Sequence, residues 1–182
     1  KEPDKKAFVS WHQDGKYIGF DSNNFVTAWL AITESNQENG CMWMWKGSHK
    51  ELREHLDQFE ENNLLTRGQT VQNVPKSDTV PVELKPGQLS LHHPLVVHAS
   101  APNNSNSRRI GFVIQSYIGT NVRQLNGKVY VQQARGKDLF NYHEHTDRSI
   151  ELMDKKTVEW RTKANKELQD VLYKGAAKVR NV

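Results

Sequence analysis

Short runs of apolar and β-branched residues, separated by turn residues, dominate the first 133 positions of the chain. Runs of this kind, bounded by Gly, Pro, Asn and Ser, are typical of β-strands. The predicted strands are 7–12, 24–34, 41–45, 80–84, 88–92, 109–118 and 128–133. Many short strands joined by turns predict a mainly β protein, a barrel or sandwich of the jelly-roll type.

Two connections between these strands carry specific signals. Asn39-Gly40 is typical of a hairpin turn, because both residues tolerate positive φ, and it predicts that 41–45 returns beside 24–34. Residues 63–79 form a long irregular connection, and connections of that length are often binding lids. We therefore expect an early hairpin and a lid-like segment in the middle of the chain.

A helical pattern follows the strands. Between about 150 and 179, apolar residues recur at helical spacing, at Leu152, Val158, Leu168, Val171 and Leu172. This pattern predicts one C-terminal helix. We expect a single domain over 1–182, with its β core at about 6–133.

Composition agrees with one folded domain and limits its setting. Hydrophobic residues make up 36% of the chain, with five Trp, five Tyr and six Phe, which is enough for one core and too many for a disordered chain. No apolar run approaches the ~18 residues of a membrane span, and no secretory segment is visible. The single Cys41 excludes an internal disulfide framework and fits a reducing cytosol, so we expect a cytoplasmic protein.

The net charge of +4 lies in the last third of the chain. Residues 1–122 hold 12 basic and 13 acidic side chains, and residues 123–182 hold 13 basic and 8 acidic ones, a net +5. These basic residues are interleaved with acids, whereas a nucleic-acid groove needs Lys and Arg clustered on one face. We therefore expect no nucleic-acid partner, and we expect the excess charge on the exposed face of the helix.

His12-Gln-Asp14 is the most informative pattern of polar residues. It lies at the end of a predicted strand, where residues two apart project to the same side, so one imidazole and one carboxylate face one point. His98, at the end of the short apolar segment 95–98, can supply a third ligand from elsewhere in the chain. Two His and one carboxylate that leave open positions are the ligand set of non-haem Fe(II) oxygenases.

Several short motifs place this pattern in a wider context. In chain order they are Trp11-His-Gln-Asp14, Val26-Thr-Ala-Trp-Leu-Ala31, Asn39-Gly-Cys-Met42, Gly47-Ser-His-Lys50, Pro86-Gly87, His98-Ala-Ser100 and Arg108-Arg-Ile-Gly111. Together they closely resemble the phytanoyl-CoA dioxygenase family of Fe(II)/2-oxoglutarate-dependent oxygenases. The match runs from about residue 1 to 119 and depends on the joint spacing of the motifs.

The resemblance implies a double-stranded β-helix, a cupin-like barrel, with Fe(II) at its mouth. The family's metal ligands fall on His12, Asp14 and His98. Arg109 falls on the arginine that binds the distal carboxylate of 2-oxoglutarate, Ser100 on a hydroxyl that assists it, and Trp29 on a tryptophan lining the cosubstrate pocket. Family members carry a helical segment and a first strand before His-x-Asp, so the N-terminal part of the family fold is expected to be absent here.

The strand 109–118 is then expected to supply part of the lumen wall. Alternation places one set of side chains in the lumen, namely Arg109, Gly111, Val113, Gln115 and Tyr117. An arginine suits a carboxylate because its guanidinium binds both oxygens and stays charged. The opposite face is expected to pack under the C-terminal helix, and Arg108 to form an exterior ion pair.

Alternatives remain for the third ligand. His92 and His93 are rivals of His98, but only His98 is followed by a serine two residues later and by an arginine eleven residues later. One of the two rivals is expected to make a hydrogen bond behind a metal ligand instead.

The predicted activity is hydroxylation of a small polar metabolite or an acyl substrate, with 2-oxoglutarate and O2 as cosubstrates and succinate and CO2 as products. The candidate substrate contacts are Lys16, Tyr17, Gln115, Tyr117 and Arg123. A halogenase on the same scaffold would need Gly or Ala where Asp14 stands. The alternative from another class is a non-catalytic barrel that binds a metal or a small ligand.

Overall fold

The computed structural model describes residues 1–146 and 154–179, and their regular structure is mostly β. The strands are β1 Val9–His12, β2 Phe25–Ala31, β3 Met42–Trp45, β4 Leu56–Asp57, β5 Gln69–Thr70, β6 Thr79–Val82, β7 Leu89–His92, β8 His98–Ser100, β9 Gly111–Ile118, β10 Tyr130–Val131 and β11 Glu144–His145. Short 3₁₀ helices cover Asp14–Lys16, Ser48–Lys50 and Lys76–Asp78, and one α-helix, α1, covers Lys155–Leu172.

Two antiparallel sheets form the body of the fold. The four-stranded sheet has the order β1-β8-β3-β6, and the three-stranded sheet has the order β7-β2-β9. The chain crosses repeatedly between them, since β2 stands between β1 and β3 in sequence, and β8 stands between β7 and β9. This crossing is the double-stranded β-helix, or jelly-roll, architecture, so the predicted fold class is confirmed.

The turn at Asn39-Gly40 forms, but the hairpin predicted from it is wrong. β2 pairs with β7 and β9, whereas β3 pairs with β6 and β8 in the other sheet. Gly40 has a φ of +74°, and a Cβ there would lie 2.3 Å from the carbonyl oxygen of Ala101. Glycine therefore lets the chain pass close to the loop after β8 as it changes sheets, a long-range contact that a local turn signal does not reveal.

A β-bulge in β1 sets the direction of His12. Val9 lies opposite Ser100 and His12 lies opposite His98, so β1 has one extra residue between the two pairs. The bulge turns Val9 and His12, which are three residues apart, toward the same space between the sheets, and both line one cavity there.

A second bulge, in β9, corrects the predicted direction of Tyr117. Val26 pairs with Tyr117, but the register shifts by one residue before Ala28. Paired residues lie on the same face of a sheet, and Val26 and Ala28 alternate with Thr27, which faces the space between the sheets. Tyr117 therefore lies on the outer face, and the predicted lumen face of β9 ends at Gln115.

The helix α1 confirms the helical pattern near the C terminus. Asp154 caps its first turn by accepting a hydrogen bond from the N–H of Thr157 at 3.1 Å. Its basic residues are all exposed, as the charge distribution predicted, at Lys155, Lys156, Arg161, Lys163 and Lys166. Residues 150–153 of the predicted span, with Leu152 among them, lie outside the described residues. In the part of the chain that is described, no helix is both long and apolar enough to cross a membrane.

Helix α1 packs on the chain that follows β9 and not on β9 itself. Val171 is 1% exposed and lies against Gly127, and the rings of Trp160 and Tyr130 meet edge to face at 5.9 Å. The expected cover of the outer face of β9 is therefore wrong, and Phe112 on that face is 56% exposed. The apolar spacing predicts that a helix has a buried side, but not which surface that side meets.

Replacing Val171 by Ala should lower the free energy of unfolding by about 1.5–2.5 kcal/mol, because a buried side chain loses two carbon atoms of packing. The matched control is Val158→Ala in the same helix, where the valine is 40% exposed and the change should stay within about 0.5 kcal/mol. Urea denaturation of both variants measures the difference. Equal losses would contradict the packing of α1 described above.

Candidate metal centre

Three side chains from β1, β8 and the turn after β1 converge between the sheets. His12 ends β1, and Asp14 follows in a 3₁₀ turn. His98 begins β8, although the sequence placed it at a strand end, and it lies directly opposite His12 with the ring centres 4.1 Å apart. One nitrogen or oxygen atom from each of the three residues lies within 4.8 Å of the others. This spacing suits a single metal ion held by all three.

Backbone carbonyls orient both imidazoles. The Nδ1 atom of His12 lies 2.9 Å from the carbonyl oxygen of Ser10, and Nδ1 of His98 lies 3.0 Å from that of Val96. A carbonyl can only accept, so each Nδ1 carries the proton and each Nε2 keeps a free electron pair. Both Nε2 atoms face Asp14 Oδ1, at 3.4 and 3.9 Å. The free electron pairs and the carboxylate oxygen therefore point at the same place.

The protonation states of this cluster also suit a cation. Burial, followed by the neighbouring His12, lowers the pKa of the His98 imidazole to about 3, so it is neutral at neutral pH. Burial on its own would raise the pKa of the Asp14 carboxyl, but the surrounding imidazoles, His98 foremost, outweigh it and hold that pKa well below its usual range. Neutral imidazole and ionised carboxylate are the forms that bind divalent metals.

Gln13 lies between His12 and Asp14 and is fully buried. No pattern in the sequence indicated its role. Its amide Nε2 donates to the carbonyl oxygens of Glu51 at 2.8 Å and Leu95 at 2.6 Å. Its Oε1 accepts from the N–H of Arg53 at 2.8 Å, and its own N–H donates to His55 Nε2 at 3.0 Å. Gln13 thus ties the His-x-Asp turn to two other segments, one of which leads directly into β8.

A cavity of about 230 Å³ lies between the sheets beside the cluster. Both sheets contribute to its wall, together with one residue of the predicted lid-like segment 63–79. The lining residues are Val9, His12, Asp14, Thr27, Trp29, Met42, Leu65, His92, His98, Ala99, Ser100, Arg109, Val113 and Gln115. The three predicted metal ligands and the three residues predicted to bind 2-oxoglutarate therefore share one cavity.

Arg109 is a buried cation with few partners. It is 7% exposed, its Nη2 lies 3.5 Å from Ser100 Oγ, and its guanidinium carbon lies 5.1 Å from the centre of the Trp29 ring. Its Nε and Nη1 are buried without a hydrogen-bond partner among residues 1–146 and 154–179. Burial lowers the pKa of Arg109 from its ordinary value, which reflects the cost of holding this charge unpaired. Such a group fits an anionic ligand in the cavity.

Gly111 allows Trp29 to lie beside Arg109. A Cβ on Gly111 would fall 2.1 Å from Cζ2 of the indole, so only glycine leaves room for the ring at this point. Ala31 pairs with Gly111 in the ladder between β2 and β9, which keeps the two strands aligned here.

Of the predicted substrate contacts, Gln115 alone lines this cavity. Lys16 is exposed in the turn after Asp14, and Tyr17 is buried elsewhere, with its hydroxyl 3.4 Å from Asp57. Arg123 donates to the hydroxyl of Tyr142 at 2.8 Å on the surface. Tyr117 lies on the outer face of the sheet because of the bulge. These residues were predicted from their positions near the His-x-Asp motif or near β9. Where their side chains point depends on the tertiary fold, which those positions do not reveal.

The sequence did not predict a place in the cavity wall for several other residues, among them Thr27, His92 and Leu65. Thr27 lies two residues before Trp29 in β2, so alternation alone could have found it. His92, one of the rivals of His98, lies beside Asp14 and not within the cluster of three. Leu65 comes from an irregular connection, and no periodic pattern pointed to it.

A cupin-like double-stranded β-helix with a His-Asp-His cluster between its sheets has the architecture of the non-haem oxygenases. The family model of phytanoyl-CoA dioxygenase (PhyH) matches residues 1–111. The chain therefore belongs to the phytanoyl-CoA dioxygenase family, as the order of its motifs indicated.

Two curated relatives illustrate this membership. A phytanoyl-CoA dioxygenase of Arabidopsis thaliana is 31% identical over 111 residues, which are 60% of this chain and 38% of the relative. A probable alpha-ketoglutarate-dependent hypophosphite dioxygenase of Stutzerimonas stutzeri is 27% identical over 129 residues, which are 69% of this chain and 45% of the relative. The chain spans less than half the length of each of these relatives.

Solved structures of similar fold include two of the non-haem monooxygenase ThoJ. The apo form matches with a TM-score of 0.78 and 26% identity, over 93% of this chain and 62% of ThoJ. The nickel complex matches with a TM-score of 0.74 and 25% identity, over 93% of this chain and 61% of ThoJ. EvdO2 from Micromonospora carbonacea var. aurantiaca, complexed with 2-oxoglutarate, matches in fold with a TM-score of 0.53 and 24% identity, over 62% of this chain and 46% of EvdO2.

Replacing Gln13 by Ala should weaken binding of Co(II) about ten- to hundred-fold, the usual cost of losing a residue that supports metal ligands. It should also lower the free energy of unfolding by about 2–4 kcal/mol, because buried backbone groups lose their partners. Calorimetric titration with Co(II) and urea denaturation measure the two effects. The exposed Gln132→Ala serves as control. A loss of stability with unchanged affinity for Co(II) would show that Gln13 supports the fold but not the metal centre.

Proposed function

We propose that this protein is an Fe(II)/2-oxoglutarate-dependent dioxygenase that hydroxylates a small polar metabolite or an acyl substrate. In this reaction one atom of O2 enters a C–H bond of the substrate as hydroxyl and the other enters succinate, while 2-oxoglutarate loses CO2. The observation that carries the proposal is the presence, in one cavity, of the His12-Asp14-His98 cluster and of the buried Arg109, whose Nε and Nη1 have no partner among the described residues.

In this proposal His12, Asp14 and His98 hold Fe(II) through two neutral imidazoles and one carboxylate. Three protein ligands of this kind leave three positions of an octahedral ion open, which the chemistry requires. When bound there, the iron and 2-oxoglutarate together would supply the electrons that activate O2. The carbonyl groups that bind Nδ1 orient both imidazoles so that each Nε2 is aimed at the ion, so the protein's own contribution is a ligand set arranged before the metal arrives.

We assign the distal carboxylate of 2-oxoglutarate to Arg109. Its unpartnered, buried donors support this role, because a guanidinium can bind both oxygens of a carboxylate. Ser100 Oγ is close enough to assist at the same end, and Trp29 forms the wall beside the guanidinium. These groups would hold the cosubstrate with its other end toward the metal ligands across the cavity.

The size of the cavity favours a small reacting group. About 230 Å³ is below the ~300–1,000 Å³ of ordinary ligand sites, so a cosubstrate would leave little space beside it. Gln115 offers a polar contact, and Leu65 and Val113 offer apolar ones. We therefore infer a small polar metabolite, or the end of an acyl chain, with Gln115 as its polar contact.

We also place this activity in the cytoplasm. Cys41 is a free and fully buried thiol, and a chain with one unpaired cysteine fits a reducing compartment. The partners required by the proposal are small molecules only.

The proposal is tested with the full chain loaded with Fe(II), by measuring O2 uptake and succinate release over a panel of small polar acids, phosphonates and acyl thioesters. A true substrate should give equal amounts of succinate and hydroxylated product. Asp14→Ala and a metal chelator should each abolish the release. Binding of metal and 2-oxoglutarate without succinate from any member of the panel would favour the alternative, a non-catalytic barrel.

Replacing Arg109 by Ala should raise the concentration of 2-oxoglutarate needed for half-saturation by about a hundred- to several-thousand-fold. A buried charged pair that loses one partner typically costs ~3–5 kcal/mol, and ~1.4 kcal/mol corresponds to a factor of ten. Binding of Fe(II) should stay nearly unchanged. Arg109→Lys should recover only part of the affinity, because an ammonium group cannot bind both oxygens in the same way.

The control for this prediction is the neighbouring Arg108, which donates to Glu2 at 2.8 Å on the surface and was predicted to be an exterior ion pair. Arg108→Ala should leave the titration with 2-oxoglutarate unchanged. A normal titration curve for Arg109→Ala would show that Arg109 does not bind the distal carboxylate of 2-oxoglutarate.

A further inference from the structure

His92 is a buried histidine outside the cluster of three, at the end of β7. It is 6% exposed and lies directly opposite Thr27 of β2, and its ring centre is 5.0 Å from that of His98. Its Nδ1 lies 3.4 Å from Ser90 Oγ. Its Nε2 is buried without a hydrogen-bond partner in the described part of the chain, and it points at Asp14 Oδ2 from 3.7 Å.

The two oxygens of Asp14 have different surroundings. Oδ1 faces the Nε2 atoms of His12 and His98, at 3.4 and 3.9 Å. Oδ2 faces the hydroxyl of Thr27 at 2.8 Å and Nε2 of His92 at 3.7 Å. One oxygen is thus directed at the candidate metal position, and the other is directed at hydrogen-bond donors on the three-stranded sheet.

The hydroxyl of Thr27 cannot donate a hydrogen bond to Asp14 Oδ2 all the time. Its hydroxyl also lies 2.7 Å from the carbonyl oxygen of Gln115, and one hydroxyl has a single proton to donate to two acceptors. A buried donor without a partner is costly, and so is a buried carboxylate oxygen while Thr27 donates to Gln115 instead. A hydrogen bond from His92 Nε2–H to Asp14 Oδ2 removes both costs. It forms if the distance between the two atoms, now 3.7 Å, shortens to hydrogen-bond length.

We propose that His92 is a positioning residue that donates from Nε2–H to Oδ2 of Asp14, so that Asp14 binds the metal through Oδ1 alone. Ser90 assists by donating its hydroxyl proton to Nδ1, which leaves the imidazole proton on Nε2. The inference rests on the proposed function, because it concerns the same metal. Its consequence is that Asp14 takes up one coordination position and not two, so all three remaining positions of the ion stay free for the cosubstrates.

The test replaces His92 by Phe, which keeps a planar ring of similar size without a donor, and by Gln, which keeps an N–H donor. We expect His92→Phe to bind Co(II) about ten- to hundred-fold more weakly. Its visible Co(II) absorption spectrum should also change, because a second carboxylate oxygen then takes up a coordination position that is open in the unmodified protein. His92→Gln should keep an affinity and a spectrum closer to those of the unmodified protein. The exposed neighbour His93→Gln is the control.

Pulsed electron paramagnetic resonance of the Cu(II)-loaded proteins separates positioning from ligation. We expect two coordinated imidazoles in both the unmodified protein and His92→Phe, since His12 and His98 supply them. A loss of one imidazole in His92→Phe would make His92 a ligand and overturn the inference. Unchanged affinity and spectrum in His92→Phe, or equal losses in the Phe and Gln variants, would overturn it as well.

The same titrations distinguish this inference from the proposed function. If the unmodified protein does not bind Co(II), the metal centre itself is wrong and the proposed function fails with it. If the unmodified protein binds Co(II) and His92→Phe binds it equally well, the proposed function stands and only the role of His92 is lost. Circular dichroism and thermal midpoints of all variants show that each comparison is made between folded proteins.

Discussion

The antiparallel pairing of β1 with β8 is the constraint on which the candidate site depends. It sets His12 opposite His98, two residues that lie far apart in the sequence, and each imidazole is turned inward by a carbonyl two residues before it. The same two segments are joined again beyond the ladder, where Gln13 donates to Leu95 and the N–H of Gly15 donates to Pro94 at 3.0 Å. Strand register, side-chain orientation and the turn that holds Asp14 are therefore parts of one hydrogen-bonded unit.

The two sheets have different tasks in this unit. The four-stranded sheet carries the paired imidazoles, whereas the three-stranded sheet carries the groups that surround them, from Thr27 and Trp29 on β2 to His92 on β7. Asp14 lies at the contact between the sheets, because one of its oxygens faces the imidazoles and the other accepts from Thr27. A site built across two rigid sheets is held more accurately than one built on loops.

Charge is distributed unequally within the cavity. The Asp14 carboxyl is ionised because its pKa is held well below its usual range, and Arg109 is a cation whose inward donors have no partner in the described residues. Separated charges in a poorly polarisable interior are costly, and the ring of Trp29 offsets only part of that cost for Arg109. A divalent cation beside Asp14 and a carboxylate beside Arg109 would offset both, which is why the proposed iron and 2-oxoglutarate suit this cavity better than a neutral ligand does.

Local patterns in the sequence determined the longer strands and the helix, because alternation and helical spacing report how neighbouring residues are arranged. The resemblance carried by the motifs also named six residues that meet in the cavity, which are His12, Asp14, Trp29, His98, Ser100 and Arg109. The local patterns did not determine which sheet receives β3, since the turn at Asn39-Gly40 suits a hairpin and a crossing equally well. Nor did they show the bulge that turns Tyr117 outward, the surface that α1 covers, or the contact of His92 with Asp14. Each of these depends on pairing between distant segments, and the free energy of that pairing is decided by residues that only the folded chain brings together.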